Sequence, residues 1–415
     1  MNLSIIKSVS PAISIFIFGL IIQFHGLVAF AKNSVDLKPL VILISIDGFK
    51  PSYLERGITP NLNSFASNGV LAKGMLPVFP SITFPNHVSL ITGQFPEHHG
   101  IVNNVMVDDS IPNQTFTLSS RQAVQNPAWW TKVNPIWNTL ARQGKVSSTL
   151  FWPGSETLIQ GMQPRDWLDF DGSMSGSKRI AQLISWLSNP SKERADFATL
   201  YFNEVDTQGH HFGPDSNEVN LAISSVDQAL GELRDELEKM GILDRVTFVI
   251  TSDHGMATVG DDHALDVSPI LKQFSSLKMQ WYGPIAGFSN LDKTKDVDFL
   301  NQMSKVDHMS CWTKENPPFD NHFNNNKRIP DILCLAETGW TITNDPSRSV
   351  LRGQHGFDPN NKEMHALFIA SGFQIPKKKI GLVKNIDVYN FLCKLMNVTP
   401  DTNDGSNDLI NMILN

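Results

Sequence analysis

Three short apolar runs, each closed by an aspartate, constrain this chain more than any other feature. They are "LVILISID" (Leu40 to Asp47), "FATLYFNEVD" (Phe197 to Asp206) and "RVTFVITSD" (Arg245 to Asp253). Continuous apolar runs of this length, without polar alternation, are the pattern of strands buried on both faces. "ALFIASG" (Ala366 to Gly372) is a fourth run of the kind. Between the second and third lies "DSNEVNLAISSVDQALGELRDELEKMG". There Val226, Leu230, Leu233, Leu237 and Met240 fall on one helical face, and Gly241 ends the helix. Thr59-Pro60 opens another helix, with Thr as cap and Pro at the first position, and Gly69 stops it. Strand, helix and strand at these intervals predict an α/β fold with a mostly parallel central sheet flanked by helices.

Composition narrows the class. The 415 residues are 41% hydrophobic and 18% charged, which suits a globular chain with a large core. A net charge of −7 offers no basic footprint, so no stable nucleic-acid partner is expected. Lys7 precedes an apolar run from Pro11 to Phe30, which closes in Ala29-Phe30-Ala31. A positive start, an apolar middle and an A-x-A end describe a secretory signal peptide over residues 1–31. The rival is a retained anchor, since the run is long enough to span a bilayer. Cleavage leaves one exported domain, 32–415, with no membrane span. Within it, the Asn- and Pro-rich stretch at about 281–344 reads as an inserted subregion beside the sheet. Export makes the three cysteines notable. Cys311, Cys334 and Cys393 allow at most one disulfide, and Cys311 and Cys334 are the nearer pair in sequence. Asn113-Gln-Thr115 and Asn397-Val-Thr399 match the glycosylation sequon and read as surface loops.

The aspartates matter because ligands of open α/β sheets bind beyond the carboxyl ends of the strands. Asp47, Asp206 and Asp253 converge there if their strands are neighbours. Histidines accompany them: His210 four residues after Asp206 in "DTQGHH", His254 directly after Asp253 in "SDHGM", and His355 between glycines in "GQHGF". Asp and His ligands without sulfur suit zinc or another first-row ion at an open catalytic position, and this inventory is enough for two ions. Thr83, in "FPSITFPNHVSLITG", stands at the start of an apolar helix. Its hydroxyl is either a helix cap or, with a divalent ion to lower its pKa, a nucleophile.

Several blocks together resemble a known family. "VILISIDGFKPSYL", "FPSITFPNHVSLITGQFPEHHGIVNN", "FWPGSE", "DTQGHHFGP", "TSDHGM", "IPDI" and "GQHGFD…MHALF" are similar to signature blocks of the nucleotide pyrophosphatase/phosphodiesterase family, within the alkaline phosphatase superfamily. They run in order from about residue 40 to 370. The resemblance implies an alkaline phosphatase-like fold and two Zn²⁺ per active site. One ion would be held by Asp47, Thr83, Asp253 and His254, the other by Asp206, His210 and His355. It further implies that Thr83 attacks phosphorus to form a covalent phospho-threonine, and that Asn104 binds a non-bridging phosphoryl oxygen. Phe84 and Phe170 match the aromatic positions that sandwich a nucleobase. The animal members' cysteine-rich and nuclease-like domains are missing, which makes this resemble the single-domain bacterial form, periplasmic or secreted.

The implied activity is hydrolysis of phosphodiester and pyrophosphate bonds in small-molecule nucleotides, releasing nucleoside 5′-monophosphates. A choline-type glycerophosphodiester or lysophospholipid substrate is the alternative, for which Glu156 could supply a carboxylate. An inactive extracellular binding module is the reading from another class, and a complete ligand set argues against it. His87, His98 and His99 lie near Thr83 in sequence but match no ligand position. His211, His263 and His365 read as loop-bound or structural, and Trp129, Trp130 and Trp152 as core, with Trp152 a possible pocket wall.

Overall fold

The computed structural model describes residues 38–189, 193–320 and 322–415. The expected signal segment, 1–31, lies outside the described residues. Among those described, no helix is long and apolar enough to cross a membrane.

Eight strands form the central sheet: β1 (Leu40–Ile46), β2 (Gly69–Leu76), β3 (Ser147–Leu150), β4 (Asp166–Leu168), β5 (Phe197–Phe202), β6 (Val246–Thr251), β7 (Phe368–Gly372) and β8 (Lys378–Lys384). Their spatial order is β8-β2-β7-β6-β1-β5-β3-β4. The three aspartate-closed runs are therefore neighbours, with β1 between β6 and β5 and parallel to both. Ser45 lies level with Tyr201 on one side and Thr251 on the other, so the carboxyl ends open on one edge. Every residue of β1, β5 and β6 is buried, which is why these segments read as unbroken apolar runs.

Three local expectations change. β7 is antiparallel to both neighbours, β2 and β6. A fully buried run looks the same in either direction, so sequence carried no sign of it. Gly69 does not cap the helix but opens β2, since the helix Pro60–Ser67 ends just before it with Asn68 as its C-cap. Thr59 makes no side-chain cap bond. The buried Asp227 of the long helix Asn217–Lys239 takes that role, accepting the N–H groups of Asn61 at 3.1 Å and Leu62 at 2.7 Å.

A second, four-stranded antiparallel sheet, Leu277–Trp281, Ile285–Asn290, Ile332–Ala336 and Met309–Thr313 in spatial order, occupies the Asn- and Pro-rich stretch. Its first strand starts ahead of residue 281. Cys311 faces Cys334 across two of its strands, and the two form a disulfide. Cys393 is free and buried, and burial pushes its thiol up to about 12. Trp129, Trp130 and Trp152 are core, at 0%, 1% and 1% exposure.

Candidate active site

Asp47 follows β1 directly, and Asp253 follows β6 after one serine. Asp206 does not follow its strand in the same way. β5 stops at Phe202, and Asp206 lies in the first turn of the helix Glu204–Phe212. Acidic residues are favoured in a first helical turn, and the helix then sets His210 on the same face as Asp206, four residues on. Gly48, at φ +69°, lets the turn after Asp47 pass close to this helix. A Cβ there would stand 3.1 Å from Asp206 Cα.

Two clusters result, one of Asp47, Asp253 and His254 and one of Asp206, His210 and His355. In the first, His254 Nε2 lies 3.0 Å from Asp253 Oδ2 and 3.5 Å from Asp47 Oδ1. In the second, His210 Nε2 lies 3.5 Å from Asp206 Oδ2, His355 Nε2 3.6 Å from Asp206 Oδ1, and the two Nε2 atoms 3.2 Å apart. The clusters adjoin, since the rings of His254 and His355 stack at 3.5 Å.

All three histidines are oriented alike. Each donates its Nδ1–H to a backbone carbonyl: His254 to Gly255 at 2.9 Å, His210 to Gly353 at 2.8 Å and His355 to Ser81 at 2.9 Å. Their Nε2 lone pairs are thereby turned inward, the tautomer that a metal-ligating imidazole needs. Asp47 Oδ1, Asp206 Oδ1 and Asp253 Oδ2 are buried with no hydrogen-bond partner. Orphaned carboxylate oxygens in a dry site are costly unless a cation meets them. The donor set therefore fits divalent ions.

The buried groups also act on one another: burial lowers His254, but the charge of Asp253 outweighs it and raises that imidazole. Burial, then the charges of Asp253 and Asp206, push the Asp47 carboxyl well above the carboxylate range. Burial, then His254 and His210, push His355 well below the usual histidine range. Burial also raises Asp253, but His254 and His87 outweigh it and hold that carboxyl low.

Thr83 is the first residue of the helix Thr83–Thr92, with Ile82 in the cap position, and it makes no capping bond. Its Oγ1 instead lies 3.3 Å from His254 Nε2, at the edge of the first cluster. Asn104 Oδ1 accepts the N–H of Phe84 at 2.9 Å, which leaves the amide NH₂ as a free donor direction. Thr83, Asn104, Phe84 and Phe170 line one cavity of about 330 Å³ with Asp47, Asp206 and His355. The two phenylalanines are unequal. Phe170 is 43% exposed, whereas Phe84 is 9% exposed and packs edge-on against Phe116 at 5.6 Å.

One residue of the site escaped sequence reasoning, and another, set aside there as matching no ligand position, lies beneath it. The Tyr201 hydroxyl donates to Asp47 Oδ2 at 2.6 Å from the end of β5. His87 is fully buried beneath the site, donating Nδ1–H to the Thr83 carbonyl at 2.9 Å, with Nε2 2.8 Å from Ser45 Oγ. Its spacing of four from Thr83 on one helix was the available signal. The other histidines lie elsewhere: His98 pairs with Asp404 on the surface, His99 is buried against Ser89, and His263 stacks on Trp340.

The family described as type I phosphodiesterase / nucleotide pyrophosphatase matches residues 41–358. The chain is 35% identical over 371 residues to the bis(5′-adenosyl)-triphosphatase of Xenopus laevis, covering 89% of this chain and 80% of that protein. It is 35% identical over 393 residues to ectonucleotide pyrophosphatase/phosphodiesterase family member 3 of Bos taurus, covering 91% of this chain and 44% of that one. Among solved structures, murine ectonucleotide pyrophosphatase/phosphodiesterase 5, as an inactive threonine-to-alanine variant in complex with AMP, superposes with a TM-score of 0.85 at 30% identity. That match covers 90% of this chain and 100% of the murine one.

Proposed function

The chain belongs to the type I phosphodiesterase / nucleotide pyrophosphatase family, with its alkaline phosphatase-like fold, and on that premise we propose an exported, zinc-dependent hydrolase of nucleotide phosphodiester and pyrophosphate bonds. Its products would be nucleoside 5′-monophosphates. The observation that carries this reading is the placement of the Thr83 hydroxyl, 3.3 Å from His254, at the edge of one Asp/His cluster that adjoins a second, both with orphaned carboxylate oxygens.

Asp47, Thr83, Asp253 and His254 would hold one ion, and Asp206, His210 and His355 the other. Two such ions, when bound, lower the hydroxyl's pKa and offset charge on the attacking and leaving oxygens. The chain's residues supply the rest. Thr83 Oγ gives its proton to solvent and forms a bond to phosphorus while the bond to the leaving oxygen breaks, and the electron pair departs with that oxygen. The nucleotide is then esterified to Thr83, until water attacks the same phosphorus and returns the hydroxyl. Asn104 donates its amide N–H to a non-bridging oxygen. A neutral donor suits a diester, whereas a monoester brings more charge than it can offset.

Phe170 offers an exposed ring on which any base can stack. The murine neighbour's inactive threonine variant with AMP supports both a threonine nucleophile and a nucleotide product. The name of the bovine ecto-enzyme relative supports export. Glu156 weakens the choline alternative. Burial raises its carboxyl towards the neutral form, and Oε2 already accepts the Phe170 N–H at 3.1 Å. The test is a hydrolysis panel of ATP, a dinucleotide, a nitrophenyl-nucleotide diester and lysophosphatidylcholine. We expect cleavage of the nucleotides, loss on chelation and recovery with zinc. Preference for the lipid, or full activity after exhaustive chelation, would overturn the proposal.

A further inference from the structure

His87 is a polar ring at 0% exposure, in a place that an apolar side chain could fill without the cost of desolvating two nitrogens. Both nitrogens are used. Nδ1–H donates to the Thr83 carbonyl at 2.9 Å, which leaves Nε2 to accept the Ser45 hydroxyl at 2.8 Å. Nδ1 also lies 3.4 Å from Asp253 Oδ2. Trp152 and Tyr201 meet the ring edge-on at 5.1 Å and 5.2 Å, and the Trp152 indole N–H donates to the His87 carbonyl at 3.2 Å. One imidazole therefore joins three segments that are distant in the chain. They are the helix that begins at Thr83, strand β1 two residues ahead of Asp47, and the turn after β6 that carries Asp253.

Resting on the reading of Thr83 as the attacking group, we infer that His87, locked by Ser45, is a positioning residue that sets where the Thr83 hydroxyl stands relative to Asp47 and Asp253. The helix Thr83–Thr92 opens with no side-chain cap, so its first residue lacks the usual terminal bond. His87 lies one turn on, and its ring reaches back to Thr83 while Ser45 ties the ring to the sheet. Ser45 is paired level with Tyr201 and Thr251, so the anchoring hydroxyl is carried by three adjoining strands. A buried polar network with every member satisfied holds its parts rigidly. Displacing a reacting group by about 1 Å costs on the order of 10²-fold in rate, which sets the scale of what this link protects. His87 does not line the nucleotide cavity, so its removal should slow attack without weakening binding.

The test uses metal-replete protein and a nitrophenyl-nucleotide diester, with the single-turnover rate of nitrophenol release reporting attack on phosphorus. His87→Leu, which fills the place without polar atoms, should slow release about 10²-fold, with AMP affinity and bound zinc unchanged. His87→Asn, whose amide can still donate to the Thr83 carbonyl, should recover much of that loss. Ser45→Ala, which leaves the imidazole but frees it from the sheet, should slow release about tenfold, the weight of one buried hydrogen bond. Unaltered release in His87→Leu would overturn the inference. So would a loss that tracks lost zinc or a lowered Tm and that His87→Asn does not relieve. If His87→Leu does not fold, Ser45→Ala decides: slower release at full zinc content supports the inference, and an unchanged rate overturns it. Near-normal release by Thr83→Ala would overturn the nucleophile reading, and the positioning role with it. An inactive Thr83→Ala beside a full-rate His87→Leu would overturn the positioning role alone.

Discussion

Asp47, Asp253 and His254 hang from the ends of two adjacent strands and are 2%, 0% and 0% exposed. Asp206 and His210 come from a helix and His355 from a loop packed against it, and the Asp206 and His210 side chains are 15% and 24% exposed. The strand-end half is sealed, carries two carboxylates, and has the Thr83 hydroxyl at its edge. The helix-and-loop half carries one carboxylate and two imidazoles, and all three line the cavity of about 330 Å³. Burial on rigid strands suits a group whose position must not vary during attack. Partial exposure leaves the other half open to solvent. Gly353 is the joint of the open half: a Cβ there would stand 2.3 Å from the Gly209 carbonyl, and its own carbonyl orients His210.

Removing the hydroxyl at the edge of the sealed half should have the largest effect. Thr83→Ala is expected to lose turnover on the order of 10⁴-fold or more, as when a hydrolase nucleophile is deleted. Thr83→Ser should keep part of it, because serine still presents a hydroxyl. Steady-state rates on a nitrophenyl-nucleotide diester decide the matter, and near-normal turnover by the alanine variant would dissolve the distinction between the halves. Asn104→Ala comes next, with a loss of roughly 10²–10³-fold in kcat, the usual weight of one preorganised donor. A change confined to KM would show that the amide only binds.

Tyr201→Phe probes the sealed half from behind. It deletes the hydrogen bond to Asp47, and outer partners of metal ligands are worth about 10–100-fold in metal affinity. Metal content after graded chelation should therefore fall earlier in this variant than in the wild type, whose open half should be stripped first. Release of all metal in one phase, identical in both proteins, would contradict the contrast. The smallest effects concern the two phenylalanines. Phe170→Ala should raise KM for nucleotide diesters about tenfold, with little change for a small dialkyl diester. Phe84→Ala should instead cost about 3–5 kcal/mol of stability, as a buried ring does, seen as a lowered Tm. Equal KM effects from both would restore the symmetrical sandwich.

The sealed half was the more legible of the two. An apolar run followed at once by aspartate is a local pattern, and two such runs placed Asp47 and Asp253 at one sheet edge. Asp206 does lie near His210 and His355, but on a helix instead of at a strand end, because Val205 prolongs the apolar look of β5 past its end at Phe202. The contacts that orient the site were not legible. Tyr201 meets Asp47 across 154 residues of chain, and Asp227 caps Leu62 across 165. Such pairings exist only once strands and helices pack, so no window of sequence contains both partners. Phe84 and Phe170 make the same point for burial, since identical side chains in matching motif positions ended in different environments.

The central claim is that Thr83, and not water, attacks phosphorus first, and the configuration at that phosphorus reports it directly. A nucleotide phosphorothioate diester, chiral at phosphorus, would be hydrolysed in isotopically labelled water and the configuration of the product determined. Attack by Thr83 followed by water is two in-line displacements, so the account predicts net retention. Net inversion would mean a single direct attack by water, and would contradict it.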